Sequence, residues 1–139
     1  MKREFLTYKQ SIDMRAIGFN EPCLAYYDKD GDFLGDISVN EDTDNLYTNA
    51  DFVMYQDFKV ADVSAPTFSQ AFRWFREKCD LIGVILPYLI IGNQWYYKIT
   101  NRNNSSGLPF EEGFETFEEA ELACLNKLIE IVKDEKKNS

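Results

Sequence analysis

The sequence predicts an α+β domain: an antiparallel sheet built from hairpins, with about three helices packed on it, in the order αββ(β)αββ(β)α. Three observations lead there. Thr7-Tyr8-Lys9-Gln10-Ser11, Thr67-Phe68-Ser69-Gln70-Ala71 and Thr116-Phe117-Glu118-Glu119-Ala120 open alike, with threonine, an aromatic residue, and Gln or Glu three places after the threonine. Each reads as a capping box, in which the threonine and the Gln or Glu satisfy each other's backbone N–H groups at a helix start. Asp30-Gly31 and Gly92-Asn93 each stand between apolar runs, which is the hairpin signal. Strands joined by such tight turns pair antiparallel and leave the helices to one face. The three capped segments are unequally spaced, so no solenoid repeat is implied.

The first helix is expected over residues 8–17, with Ile12, Ala16 and Phe19 on one face and Gly18 placed for a left-handed cap. Asn20-Glu21-Pro22 breaks it. A strand follows over 23–27, then the Asp30-Gly31 turn and a strand over 33–37. Residues 36–51 are polar and poorly patterned and read as a loop, with a further short strand or hairpin around 46–55. The second helix is expected over 68–79, with Phe68, Ala71, Phe72, Phe75 and Cys79 on a narrow apolar stripe. Strands are expected over 82–86, continuing past Pro87 to 91, and over 94–100; Pro87 requires an edge, a bulge or a strand end. Residues 101–107 form a polar loop, and a short strand over 108–114 leads to the last helix. That helix begins at the Thr116 cap and runs to residue 133, with Phe117, Ala120, Cys124, Leu128 and Ile131 on one stripe and Leu125 and Val132 beside it. Glu118, Glu119 and Glu121 stand near the positive end of its dipole, and Lys133, Lys136 and Lys137 near the negative end.

Length and composition set bounds on function. A chain of 139 residues suits a single domain over 1–139. A hydrophobic fraction of 45% rules out global disorder. The net charge of −9 argues against a partner held by its phosphate backbone, because such proteins carry a basic face. The three cysteines, Cys23, Cys79 and Cys124, are widely spaced and contain no CxxC, which fits reduced core thiols in a cytoplasmic protein. The first ten residues, MKREFLTYKQ, lack the apolar core of a secretory signal. The longest apolar run, 81–91, is shorter than the roughly 20 residues that span a bilayer. Histidine is absent. Its absence removes Ser-His-Asp and Cys-His catalysis, imidazole-based zinc sites and the commonest general base. No cofactor motif is present, and none is expected to bind.

The segments GFNEPCLAYYD, APTFSQAFRWFREK and FETFEEAELACLNKLIEIVK resemble a family of small proteins from intestinal Bacteroidetes and their phages. The resemblance covers most of the chain. It brings no activity, cofactor or site residue, and implies an accessory protein of a prophage or mobile element.

Several groups of residues invite a functional reading. Asp28, Asp30 and Asp32 suggest calcium, but an EF-hand loop counted from Asp28 needs Gly sixth and Glu twelfth and meets Phe33 and Val39. An Asp-rich turn explains the run, so no metal site is expected. Residues 30–58 hold eight acidic side chains and no basic one, which suits a solvated loop or a basic partner. Six glutamates lie between 111 and 121, with no spacing that singles out a catalytic pair. Trp74 falls at the border of the second helix's stripe, and Arg73 and Arg76 lie at or beyond the other border. Tryptophan and arginine are enriched in binding hot spots. Strand alternation turns Trp95, Tyr97 and Ile99 toward the helices and Tyr96 outward. With 11 Phe, 8 Tyr and 2 Trp in a small chain, some aromatic surface is expected, lined by Tyr96 with Tyr26 or Tyr27.

The leading functional reading is therefore a small non-enzymatic protein that binds another protein through Trp74, Arg73, Arg76, Tyr96, Tyr26 and Tyr27. The second is a binder of a small signalling nucleotide, using Arg73, Arg76 or Arg102. The third is an enzyme relying on carboxylates or tyrosines alone.

Overall fold

In the computed structural model, residues 4–35, 49, 63–90, 92–101 and 109–137 are described. Arg102, the loop and strand expected within 36–55 (Asn49 excepted) and most of the loop expected over 101–107 lie outside them. The fold is α+β, with element order α1 (Tyr8–Ala16), β1 (Ala25–Tyr27), β2 (Phe33–Gly35), β3 (Val63–Ala65), α2 (Phe68–Lys78), β4 (Leu81–Tyr88), β5 (Gln94–Asn101), β6 (Phe110–Phe114) and α3 (Phe117–Lys137). The strands form two antiparallel sheets, in the orders β2-β1-β3 and β4-β5-β6. The chain gathers into two compact units, Met1–Ser69 and Gln70–Ser139.

In the N-terminal unit, local chemistry fixes both ends of α1. Thr7 Oγ1 accepts from the Gln10 N–H at 3.1 Å, and Gln10 Oε1 accepts from the Thr7 N–H at 3.1 Å, a complete capping box. At the other end Gly18 has φ +104°, which a Cβ would oppose. Its N–H reaches the Arg15 carbonyl at 3.1 Å, and the Phe19 N–H reaches the Met14 carbonyl at 3.0 Å. This is a Schellman ending, and Met14 and Phe19, at the two positions that usually make its apolar contact, are both buried. The β1–β2 turn uses Asp28 as its brace: Asp28 Oδ1 accepts from the N–H groups of Asp30 at 2.9 Å and Asp32 at 3.0 Å, with Gly31 at φ +82°. β3 pairs with β1 through Val63↔Tyr27, Ser64↔Tyr26 and Ala65↔Ala25. Phe5, Ala25, Tyr27, Val63 and Ala65 form the core there, with Tyr8, Ile12 and Phe33 against it. Asn49 is 5% exposed; its Nδ2 donates to the Phe19 carbonyl at 2.8 Å and its Oδ1 accepts from the Ser64 N–H at 2.9 Å. One side chain thus ties the end of α1 to β3.

In the C-terminal unit, β4 and β5 pair in register from Leu81↔Asn101 to Tyr88↔Gln94. Pro87 lies one residue from the end of β4, an edge strand among the described residues, as its missing N–H requires. The helices cover one face of this sheet. A Cβ on Gly83 would stand 2.8 Å from Cys124 Sγ, 3.0 Å from Phe72 Cε1 and 3.2 Å from Leu128 Cδ1, so α2 and α3 both lie on the Gly83 side. Leu81, Tyr97 and Ile99 are buried on that same side, against Ala120, Cys124, Leu125, Leu128, Ile129 and Val132 of α3. The burial differs from the expected stripe. Ile129 joins it, Ile131 is half-buried, and Phe117 is 37% exposed with its ring edge-on to Trp95 at 5.5 Å. The Thr116 cap forms, with Thr116 Oγ1 accepting from the Glu119 N–H at 3.1 Å, but the Glu119 carboxylate turns back to the Glu115 N–H at 3.3 Å. α3 also continues to Lys137, past the expected end.

β6 contains a bulge. Trp95 faces Phe114 and Tyr96 faces Glu112, leaving Gly113 as the extra residue at φ +95°. Simple alternation would have put Phe114 on the same face as Phe110 and Glu112. The added residue reverses it, and Phe114 packs on Tyr97 with ring centroids 5.9 Å apart.

Candidate protein-binding face

Gly83 and Ile99 face the helices, so period-two alternation turns Ile82, Val84, Leu86 and Tyr88 of β4 to the opposite face of the sheet. Their partners there are Thr100, Lys98, Tyr96 and Gln94, and β6 adds Phe110 and Glu112. The aromatic rings meet across all three strands. Tyr88 stands edge-on to Tyr96 at 5.9 Å, and Tyr96 meets Phe110 at 5.2 Å. Leu86 is 37% exposed and Phe110 55% exposed, while Ile82, Val84, Tyr88 and Tyr96 are half-buried. Just beyond Tyr88 the chain presents Leu89 and Ile90, 89% and 85% exposed. An apolar row thus crosses the sheet, with Lys98 and Glu112 as its charged members.

Composition and coverage disagree in β4. LIGVILPY is apolar at almost every position, the pattern of a strand buried on both faces. Within the C-terminal unit the helices cover one face only. Contiguous exposed apolar surface of this kind marks interaction sites, whereas isolated exposed hydrophobes are ordinary.

Of the six predicted binding residues, Tyr96 alone lies on this face. Trp74 is a correction: it is 6% exposed, with its ring edge-on to Phe75 at 5.1 Å. The buried arc of α2 is Phe68, Ala71, Trp74 and Phe75, centred on Ala71, while Phe72 is half-buried. At about 100° per residue, Trp74 therefore lies inside an arc whose expected centre was one position too far round. Arg73 and Arg76 are exposed, on a helix lying on the opposite side of the sheet. Tyr27 is also corrected. It is 3% exposed, its hydroxyl donates to the Leu6 carbonyl at 2.7 Å, and burial raises its pKa. Tyr26 is half-buried on β1 in the N-terminal unit. Sequence reasoning missed Leu86, Tyr88, Leu89, Ile90 and Phe110. The available signal was YLII running directly into the Gly92-Asn93 turn, where polar residues are usual.

The cysteines are free; Cys23 and Cys124 are buried and Cys79 is partly so. Burial pushes the Cys124 thiol up to about 12, with the Glu121 charge adding to the effect, so it is a packing group and not a thiolate nucleophile. Asp28, Asp30 and Asp32 offer carboxylate oxygens within 4.8 Å of one another, but Asp28 already braces the turn backbone. Among the described residues no helix is long and apolar enough to cross a membrane. No family model matches the chain, and no curated protein and no solved structure matches it.

Proposed function

We propose that this chain is a non-enzymatic binding module that recognises another protein through the outer face of the β4-β5-β6 sheet. The observation that carries this reading is β4 itself, apolar on both faces and helix-covered on one. The partner it fits has an apolar docking surface bordered by lysine and arginine. Its charge follows from the −9 net charge of the chain and from the exposed Glu112 on the outer side of β6. The resemblance of its helical segments extends the proposal to an accessory role for a phage or mobile element, acting in the cytoplasm.

The test uses immobilised protein and a bacterial lysate, with Leu86→Lys and Phe110→Lys as face variants and an Arg73→Ala/Arg76→Ala variant as control. Circular dichroism and melting temperature establish that each variant is folded. A specific partner is captured by the parent and the arginine control, lost by both face variants, and released as salt rises. Hot-spot losses of 2 kcal/mol or more correspond to about thirty-fold in affinity, well within the range of a quantitative pull-down. Equal capture by folded Leu86→Lys and Phe110→Lys proteins rejects this face as the docking surface.

A further inference from the structure

β4 is an edge strand of the C-terminal sheet among the described residues, and one hydrogen bond shows which of its backbone groups face outward. The Ile99 N–H donates to the Pro109 carbonyl at 2.9 Å, toward β6. In an antiparallel ladder a residue turns its N–H and C=O the same way, so Ile99 and its β4 partner Gly83 form a non-hydrogen-bonded pair. Gly83 therefore turns both groups away from β5, and so do Leu81 and Ile85 at the same parity. Pro87 shares that parity and has no N–H to turn, so it sits there without loss to the ladder. Among the described residues no backbone group meets Gly83 or Ile85 on that side. Gly83 is half-buried although the space at its Cα is filled on the helix side, so what it exposes is backbone. Edges of this kind are usually guarded by charge, bulges or a covering element. From Leu81 to Leu86 the strand has no charged residue and no register break, and Pro87 guards only its end.

We propose that this edge pairs with the same edge of a second copy of the chain, antiparallel about a two-fold axis at Val84, joining the two C-terminal sheets into one. In that register Gly83 of each copy lies opposite Ile85 of the other, and each pair exchanges both N–H···O=C bonds. On the outer face Val84 meets its own counterpart and Ile82 meets Leu86, apolar cross-strand pairs throughout. Charge selects the occupant. The chain carries −9, yet its exposed edge strand is neutral, so the strand it fits is a neutral apolar one, and β4 itself is such a strand. A two-fold axis makes the interface self-complementary. It also sets the outer faces of both copies side by side and leaves them open. The pairing uses the edge of β4 and does not rest on the outer face as a docking surface. Its salt response is opposite as well: two like-charged copies associate more readily as salt screens them, whereas a basic partner is released.

The experiment is sedimentation velocity of the full chain across a range of protein and salt concentrations. Expected is a monomer–dimer equilibrium that tightens as salt rises. Val84→Lys and Val84→Glu each set like charges opposite one another at the axis and should weaken the dimer about ten-fold or more, and mixing the two variants should restore it. Phe110→Lys, on β6, should leave the dimer intact, which separates this edge from the outer face. Melting temperature checks that each variant is folded. Should the charged variants unfold, Val84→Cys decides. Mild oxidation should join its copies at the axis faster than those of Leu86→Cys, whose counterpart is Ile82, with Cys23, Cys79 and Cys124 of the parent as background. A parent that stays monomeric at every concentration, a dimer unmoved by folded Val84→Lys, mixed variants that do not associate, or equal cross-linking by the two cysteine variants overturns the proposal. So does a dimer lost on Phe110→Lys, which would put the association on the face.

Discussion

Gly83→Ala is the most direct test of how the helices sit on the C-terminal sheet. The new methyl would enter a space already occupied, 2.8 Å from Cys124 Sγ, 3.0 Å from Phe72 Cε1 and 3.2 Å from Leu128 Cδ1. Two opposing terms decide the result. Replacing glycine within a strand stabilises by about 0.5–1 kcal/mol, because the unfolded chain loses backbone freedom. Forcing a methyl into a filled core costs about 1–3 kcal/mol, since neighbours must leave their rotamers or the helix must move. The crowding side is the larger, because three atoms from two helices converge and Leu128 is fully buried. The expected net loss is about 1–2 kcal/mol, read as a lower midpoint in urea at unchanged slope. Cys124→Ala removes the nearest atom, so the double variant should lose less than the two single changes together, with a coupling of about 0.5–2 kcal/mol. A Gly83→Ala protein as stable as the parent, or additive single changes, would mean that α3 does not rest on β4 at this point.

Three further outcomes are expected. Asn49→Ala should lower stability by about 2–4 kcal/mol in chemical denaturation, because it leaves the Phe19 carbonyl and the Ser64 N–H buried without this partner; an unchanged midpoint would sink the bridge. Trp74→Ala should cost about 3–5 kcal/mol as a core truncation, and a near-parental melting temperature would return Trp74 to the surface. Melting temperature should fall as pH rises above about 9, because the folded state holds the Tyr27, Tyr97 and Cys124 protons more tightly than the unfolded chain does. That stability is complete below the unfolded values and declines through the raised ones, at up to about 1.4 kcal/mol per pH unit for each group. Cys124→Ala should make the decline shallower, and a flat profile between about pH 8 and pH 11 contradicts the assignment.

What was legible in the sequence was whatever a few neighbouring residues decide. The Thr7 box, the Gly18 ending, the Asp28–Gly31 turn and the Thr116 cap each depend on contacts spanning at most five positions, and each is present in the fold. Long-range choices left weaker traces. β3, Val63–Ala65, is three residues long and gives no periodicity, so no strand was expected there. Nothing near Asn49 says that its amide closes on Phe19 and Ser64, 30 and 15 residues away. The Gly113 bulge reverses strand alternation, which no count of alternating residues in FEEGF can reveal, although glycine inside a strand is the usual mark of one.

Trp74 was expected at the surface for a different reason. Enrichment of tryptophan and arginine in hot spots describes surfaces already known to be interfaces, and it was used on α2 to choose which residues were surface. The geometry runs the other way. Phe68, Ala71, Trp74 and Phe75 together span about 120° of a helix, an ordinary buried arc, so Trp74 needs no partner outside the core. The sheet supplies the stronger argument, and it rests on faces alone. An antiparallel sheet that is to have one wet face alternates apolar and polar residues, and β5 comes near this with Lys98 and Thr100 turned outward. β4 does not: Ile82, Val84, Leu86 and Tyr88 fill its outward positions as fully as Leu81, Gly83 and Ile85 fill its inward ones. Two amphipathic helices serve the inward side in this unit, and among its described residues no third helix remains for the other. The mismatch between the number of apolar faces and the helices available to cover them is what points to a partner, and it could be counted from the sequence once the helices were assigned.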